Sequence, residues 1–191
     1  MGAEEAFGEK LARRLRHILP LKYSIETKRS LLYAVSFDDQ GSLQLGHNTD
    51  REPTRGGGTG FEQDLLLFER SSEGQTSIIP RVSIELKFSR VSTHDSIVYS
   101  EKARRIRAIY PFVRYGLILG GSKNIPPRTL RLGAEFDFIV ATAEPISAAA
   151  LDRLAKLLRL ELRLSGKMTA VLRGRQRIAV LHRSLRYGKS I

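Results

Sequence analysis

The stretch Val82-Ser83-Ile84-Glu85-Leu86-Lys87-Phe88-Ser89 alternates between apolar and polar residues without a break. In a β-strand successive side chains point to opposite faces. Val82, Ile84, Leu86 and Phe88 therefore share one face, and Ser83, Glu85, Lys87 and Ser89 the other. A carboxylate and an ammonium two residues apart then project side by side from a rigid strand. Upstream, Asp64 begins a second strand candidate, Asp64-Leu65-Leu66-Leu67-Phe68. A charge in such an apolar run is costly unless it is paired, solvated or bound to a metal ion.

Other elements can be placed around these two strands. Residues 3–18 predict a helix, with Phe7, Leu11, Leu15 and Ile18 at three- and four-residue spacing ahead of Pro20. Leu31 to Phe37 is a short strand candidate. Residues 38–62 are polar and contain Gly56-Gly57-Gly58 and Gly60, the composition of a mobile loop. The strands fall at 63–69 and 81–89, separated by the turn-like Ser71-Ser72-Glu73-Gly74. A helix over 95–110 stops at Pro111, with Ile97, Ala103, Ile106 and Tyr110 as its buried stripe. Strands follow at 115–119 and 136–141. Ser147 can cap a helix carrying Leu151, Leu154, Leu158 and Leu162 on one side. The segment 168–182 alternates loosely enough for one or two strands. Strands with intervening helices imply an α/β fold around a mixed sheet.

The chain has 191 residues, enough for one domain with a substantial core, and we read 1–191 as a single domain. It has no cysteine, which excludes disulfides, thiolate zinc sites and cysteine nucleophiles. The opening MGAEEAFGEKLARRL lacks the apolar centre of a signal peptide, and no run matches a membrane span. A soluble, cytoplasmic protein without a membrane partner is expected. The net charge is +12, and eight basic residues but no acidic one follow Glu161. That basic C-terminal extension, 163–191, favours a polyanion, because neutralising phosphates releases condensed counterions.

Two carboxylates converging on one point suit Mg²⁺, which prefers oxygen ligands and keeps several waters; Mn²⁺ is expected to substitute. Asp64 and Glu85 would be the ligands, with the Leu86 backbone carbonyl as a neutral one. Lys87 would orient the nucleophile and offset negative charge developing on a phosphate. Glu-x-Lys alone is a weak signal. A second copy, Glu26-Thr27-Lys28, lacks a preceding strand with an aspartate and is read as ordinary surface. The four histidines are scattered, and Gly116 to Lys123 has the wrong residue order for a Walker phosphate loop.

From Glu9 to about Ala141 the chain resembles the PD-(D/E)xK nuclease superfamily, which includes type II restriction endonucleases and junction resolvases. The resemblance implies an αβββαβ core, a mixed central sheet flanked by helices. It matches Asp64 to the family's first aspartate and Glu85 and Lys87 to the (D/E)xK pair, with Gln63 where proline often stands. A first-helix glutamate that joins the metal in many members would fall on Glu9, with Glu5 competing. The helix after the active strand would lie beside the scissile phosphate, so that Ser100, Lys102, Arg104 and Arg105 contact DNA. Arg173, Arg175 and Arg177 are further DNA-binding candidates in the basic extension. The implied activity is Mg²⁺-dependent endonucleolytic cleavage of DNA leaving 5′-phosphate and 3′-hydroxyl ends, in a restriction or defence setting. A homodimer or a partner nuclease subunit would cut both strands. A junction resolvase or repair nuclease, a non-catalytic nucleic-acid-binding module and a basic RNA-associated protein remain as alternatives.

Overall fold

A computed structural model describes residues 2–34, 36–37, 40, 43–44, 60–70 and 78–181. In chain order the elements are α1 (Ala3–Arg16), β1 (Tyr23–Leu32), β2 (Ser36–Phe37), β3 (Leu43–Gln44), β4 (Gly60–Arg70) and β5 (Ile78–Phe88). There follow α2 (Thr93–Ile109), β6 (Arg114–Gly120), α3 (Pro127–Leu132), β7 (Phe138–Thr142) and α4 (Ala148–Leu172). A five-stranded mixed sheet runs in the order β1-β4-β5-β6-β7. β1, β4 and β5 pair antiparallel, whereas β5, β6 and β7 run parallel. β2 and β3 form a separate two-stranded ribbon.

The sheet is covered on both faces. On one side Phe7, Leu11 and Leu15 of α1 and Leu151, Leu154, Leu158 and Leu162 of α4 pack against Leu65, Leu67, Val82, Ile84 and Leu86. Glu4 and Glu5 in the first turn of α1, and Arg13, Arg14 and Arg16 in its last, complement the helix dipole. On the other side Ala103 and Ile106 of α2 pack on Leu66, Phe68 and Tyr115. The alternation within β5 thus separates a wholly apolar face under α1 and α4 from a polar face under α2. In β6, Gly116 lets the Phe138 ring lie against the strand: a Cβ there would stand 2.1 Å from the ring.

Several sequence-based expectations need correction. The strand expected at 31–37 ends at Leu32, having begun at Tyr23, and Ser36–Phe37 belongs to the ribbon. Residues 60–62 of the expected loop are the start of β4, and most of the remainder, with the turn at 71–74, lies outside the described residues. Ile97 is half exposed, while Ser96 and Ser100 are buried instead. The Ser100 hydroxyl accepts the Glu135 N–H, which turns α2 by one position relative to a purely apolar stripe. α3 was not anticipated.

The strands expected within 168–182 are overturned up to Leu172, because α4 runs on to that residue. Glu161, Leu162, Ser165 and Thr169 continue its buried side, and the Arg81 guanidinium donates to Thr169 Oγ1 at 2.6 Å. A helical period of small polar residues, anchored by one buried cation, replaces the alternation. Beyond it, residues 173–181 are exposed and in no regular element, and 182–191 lie outside the described residues. Among the described residues no helix is long and apolar enough to cross a membrane.

Candidate active site

The polar face of β5 lies beneath α2, and Glu85 is its centre. Its side chain is only 2% exposed. An unpaired carboxylate in such a place would be prohibitively desolvated. Two donors meet it at the same oxygen: Lys102 Nζ at 2.7 Å and the Tyr115 hydroxyl at 2.6 Å, both to Oε1. Burial still holds the Glu85 carboxyl above its ordinary range. The Lys102 charge opposes that shift and the Asp64 charge adds to it. Tyr115 is pushed well above its usual value, by burial and then by Glu85, so its hydroxyl stays a donor.

Asp64 reaches the same place through the pairing of β4 with β5: Leu65 pairs with Ile84, so Asp64 stands opposite Glu85, on the side of Leu66 and Phe68. Phe61 packs with Leu66 and Phe68 on the α2 face, and Gln63 bonds Ser83 there, whereas Leu65 and Leu67 lie on the opposite face. The two-residue alternation therefore slips just ahead of Asp64. Across from it on β1, Lys28 takes a left-handed φ of 54°. The Leu86 N–H donates to Asp64 Oδ2 at 2.8 Å, which fixes that carboxylate one residue from Glu85.

Lys87 does not pair with Glu85. Its ammonium faces Glu4 of α1 at 3.4 Å and Asp95 of α2 at 3.6 Å, and lies 5.5 Å from the centre of the Tyr99 ring. Burial lowers its pKa, but Tyr99, Glu4 and Asp95 together outweigh that and raise it, so Lys87 stays charged. Burial in turn pushes the Tyr99 phenol up to about 12. Asp95 is held by the capping box that starts α2: it accepts from the Ser92 N–H at 2.8 Å while its own N–H donates to the Ser92 hydroxyl.

The first-helix glutamates divide their roles. Glu9 accepts from Thr27 Oγ1 at 2.7 Å and Glu5 pairs with Lys28 at 2.6 Å. The one that meets the Glu85–Lys87 strand is Glu4. Glu26 of the second Glu-x-Lys pairs with Arg29 and Arg70, as an ordinary strand surface does. Of the expected DNA contacts, Ser100 is buried against Glu135 and the Lys102 ammonium is committed to Glu85. Arg104 and Arg105 are exposed, with Glu101 bonded to both. Arg173, Arg175 and Arg177 are exposed. They follow Thr169, whose partner Arg81 lies six residues, roughly 20 Å of strand, before Lys87.

Sequence reasoning gave Lys102 a DNA contact instead of its place on Glu85, and missed Tyr115 and Glu4. Lys102 and Tyr99 sit three residues apart beside the buried face of α2, a spacing that could have marked them. Tyr115 had only the signal of a hydroxyl opening an apolar strand, and Glu4 had none. The donor set suits a hard divalent cation: two adjacent carboxylates leave room for the waters Mg²⁺ retains, and such a charge would reverse the burial penalty on Glu85. Among the described residues no three His, Cys, Asp or Glu side chains gather where one ion could bind all of them, so Asp64 and Glu85 would hold it with backbone and solvent oxygens. A scan against protein-family models finds no match for the chain, and a search of curated proteins finds none either.

Proposed function

We propose that this chain is a metal-dependent phosphodiester hydrolase of the PD-(D/E)xK class, with α1, β1, β4, β5, α2 and β6 as its αβββαβ core. Within that class we read it as a Mg²⁺-dependent, cytoplasmic endodeoxyribonuclease of the restriction or defence type, acting as a homodimer or beside a partner nuclease subunit. The observation that carries the reading is the convergence of Asp64 on buried Glu85 through the Leu86 N–H. A buried carboxylate with a second one beside it destabilises a fold that has no use for the pair.

Asp64 Oδ1, Glu85 Oε2 and the Leu86 carbonyl would hold Mg²⁺, with Mn²⁺ as a substitute. The ion would supply charge neutralisation at the phosphate and a deprotonated water at neutral pH. The chain does the positioning. Leu86 N–H fixes one Asp64 oxygen, and Lys102 with Tyr115 fixes one Glu85 oxygen, which leaves the other oxygen of each carboxylate for the ion. Lys87, kept charged by Glu4 and Asp95, donates to the phosphate and offsets the negative charge that builds up as the bond breaks. Being protonated, it serves as an electrostatic partner rather than as the base.

The test is incubation of plasmid and oligonucleotide DNA with Mg²⁺ or Mn²⁺. Asp64→Asn keeps an acceptor for Leu86 N–H but loses the charge, and Glu85→Gln does the same for Lys102. Both are expected to stay folded and to lose cleavage. Lys87→Ala is expected to lose about 10²–10³-fold, the cost of removing one preorganised donor. Undiminished cutting by all three variants would sink this mechanism. Tight DNA binding by wild type without any cutting would leave a non-catalytic binding module.

A further inference from the structure

Where β5 and β6 end, a cavity of about 250 Å³ opens beside Lys87. Ser89, Arg90, Ser122 and Arg128 line it with Lys87, and Leu119 is among its apolar lining; no carboxylate lines it. The chain leaves β5 in a three-residue turn closed by the Arg90 N–H on Phe88 O at 2.8 Å, with Ser89 at φ 71°. Left-handed backbone crowds a Cβ against the neighbouring carbonyl, so this turn is held against its preference. Ser89 N–H is bonded to Gly120 O at 2.7 Å, which ties the turn to the end of β6. Arg128 donates to Val91 O at 3.2 Å, which aims one edge of its guanidinium and leaves other N–H groups for the cavity. Among the described residues Arg90 has no side-chain partner. Three cations thus line one small cavity whose wall is partly apolar, and the two carboxylates on the Lys87 ammonium, Glu4 and Asp95, stand at 3.4 and 3.6 Å.

We propose that this cavity is a phosphate-binding subsite, taking the strand phosphate next to the one that is cut, with Lys87 standing between the two. Lys87 and Ser89 are two residues, roughly 7 Å, apart along the strand, so one phosphate at each end is a short step along a nucleic-acid backbone. Guanidinium groups suit this task, since their fixed N–H fork matches phosphate oxygens. The assignment of the neighbouring phosphate rests on the nuclease reading. The affinity for phosphate does not.

The experiment is amide NMR on the full ¹⁵N-labelled chain without divalent cations, titrated with inorganic phosphate. Saturable shifts are expected at Ser89, Arg90 and Gly121. In Arg90→Gln/Arg128→Gln the midpoint is expected to move about tenfold or more, the loss of at least one charge-assisted hydrogen bond. Arg90→Gln alone, at a side chain with no described partner, controls for folding and is expected to give part of that shift. Shifts that do not saturate, or that saturate equally in the double variant, overturn the proposal. A dinucleotide with a 5′-terminal phosphate and one with only an internal phosphodiester then separate the sources. Stronger binding of the first identifies a strand end, and equal binding an internal backbone phosphate. Because no cleavage is read, a filled cavity in a protein that never cuts DNA would sink the nuclease reading and leave the subsite standing.

Discussion

Lys102 makes the burial of Glu85 tolerable, and it does so from a different element. Breaking a buried ion pair from one side leaves the other charge uncompensated, at a cost of about 3–5 kcal/mol. Lys102→Met is therefore expected to lower stability by that order in denaturant melts. Lys102→Met/Glu85→Gln should lose distinctly less, because no buried charge remains; equal losses would mean that the pair is not coupled. This pairing shows where the sequence was readable. Glu85 and Lys87 stood out because their strand alternates cleanly, and Asp64 because it is a charge in an apolar run. Their surroundings did not, since Lys102, Tyr115 and Glu4 arrive from α2, β6 and α1, and no spacing along the chain encodes a tertiary approach. Asp64 stands opposite Glu85 because Leu65 pairs with Ile84, a register that its run of leucines alone does not state.

At the scale of elements, α2 joins stability to the site. Ser92 caps the helix and Asp95 closes the capping box while also facing Lys87. Ser92→Ala should cost about 0.5–2 kcal/mol, seen as a lower midpoint in thermal or denaturant unfolding. Further along, hydrogen bonds from Arg104 and Arg105 bring the Glu101 carboxyl down to about 2 from an ordinary value of 4.5. A carboxyl lowered in the folded state contributes its stabilisation above its unfolded pKa. That contribution is then lost as pH falls from about 4.5 toward 2. Carbon-detected titration should find the Glu101 midpoint near the lower value in the wild type and shifted upward in Arg104→Gln/Arg105→Gln. Besides α3, the last turns of α4 were the part least legible in advance. Gly166, Thr169 and Val171 weaken helical propensity, and the extended helix is tied to the sheet by the bond from Arg81 to Thr169, a contact between residues 88 positions apart.

For the whole molecule, two sets of cations bear on how a polyanion would lie. One set of cations surrounds the end of β5 at Lys87, and another, with Arg173, Arg175 and Arg177, follows α4 from the other end of that strand. If both touch one polyanion, it runs along the length of the sheet. Replacing those three arginines with glutamine should flatten the dependence of log K on log salt by about 0.9 for each duplex phosphate released. Cleavage per bound complex should stay unchanged. Filter binding across a salt series reads the first, and single-turnover cutting the second. The order of strands has a different consequence. β4 and β5 are neighbours in the chain and pair antiparallel, but Tyr115 reaches Glu85 only after α2 has been laid across and β6 has docked in parallel. A chain emerging from the ribosome thus holds both carboxylates for some time before it holds the groove around them. Long-range parallel pairing is slow to form, so the surroundings of Glu85 are completed after its strand, and competence to act becomes a property of the assembled strands rather than of the residues that carry the chemistry.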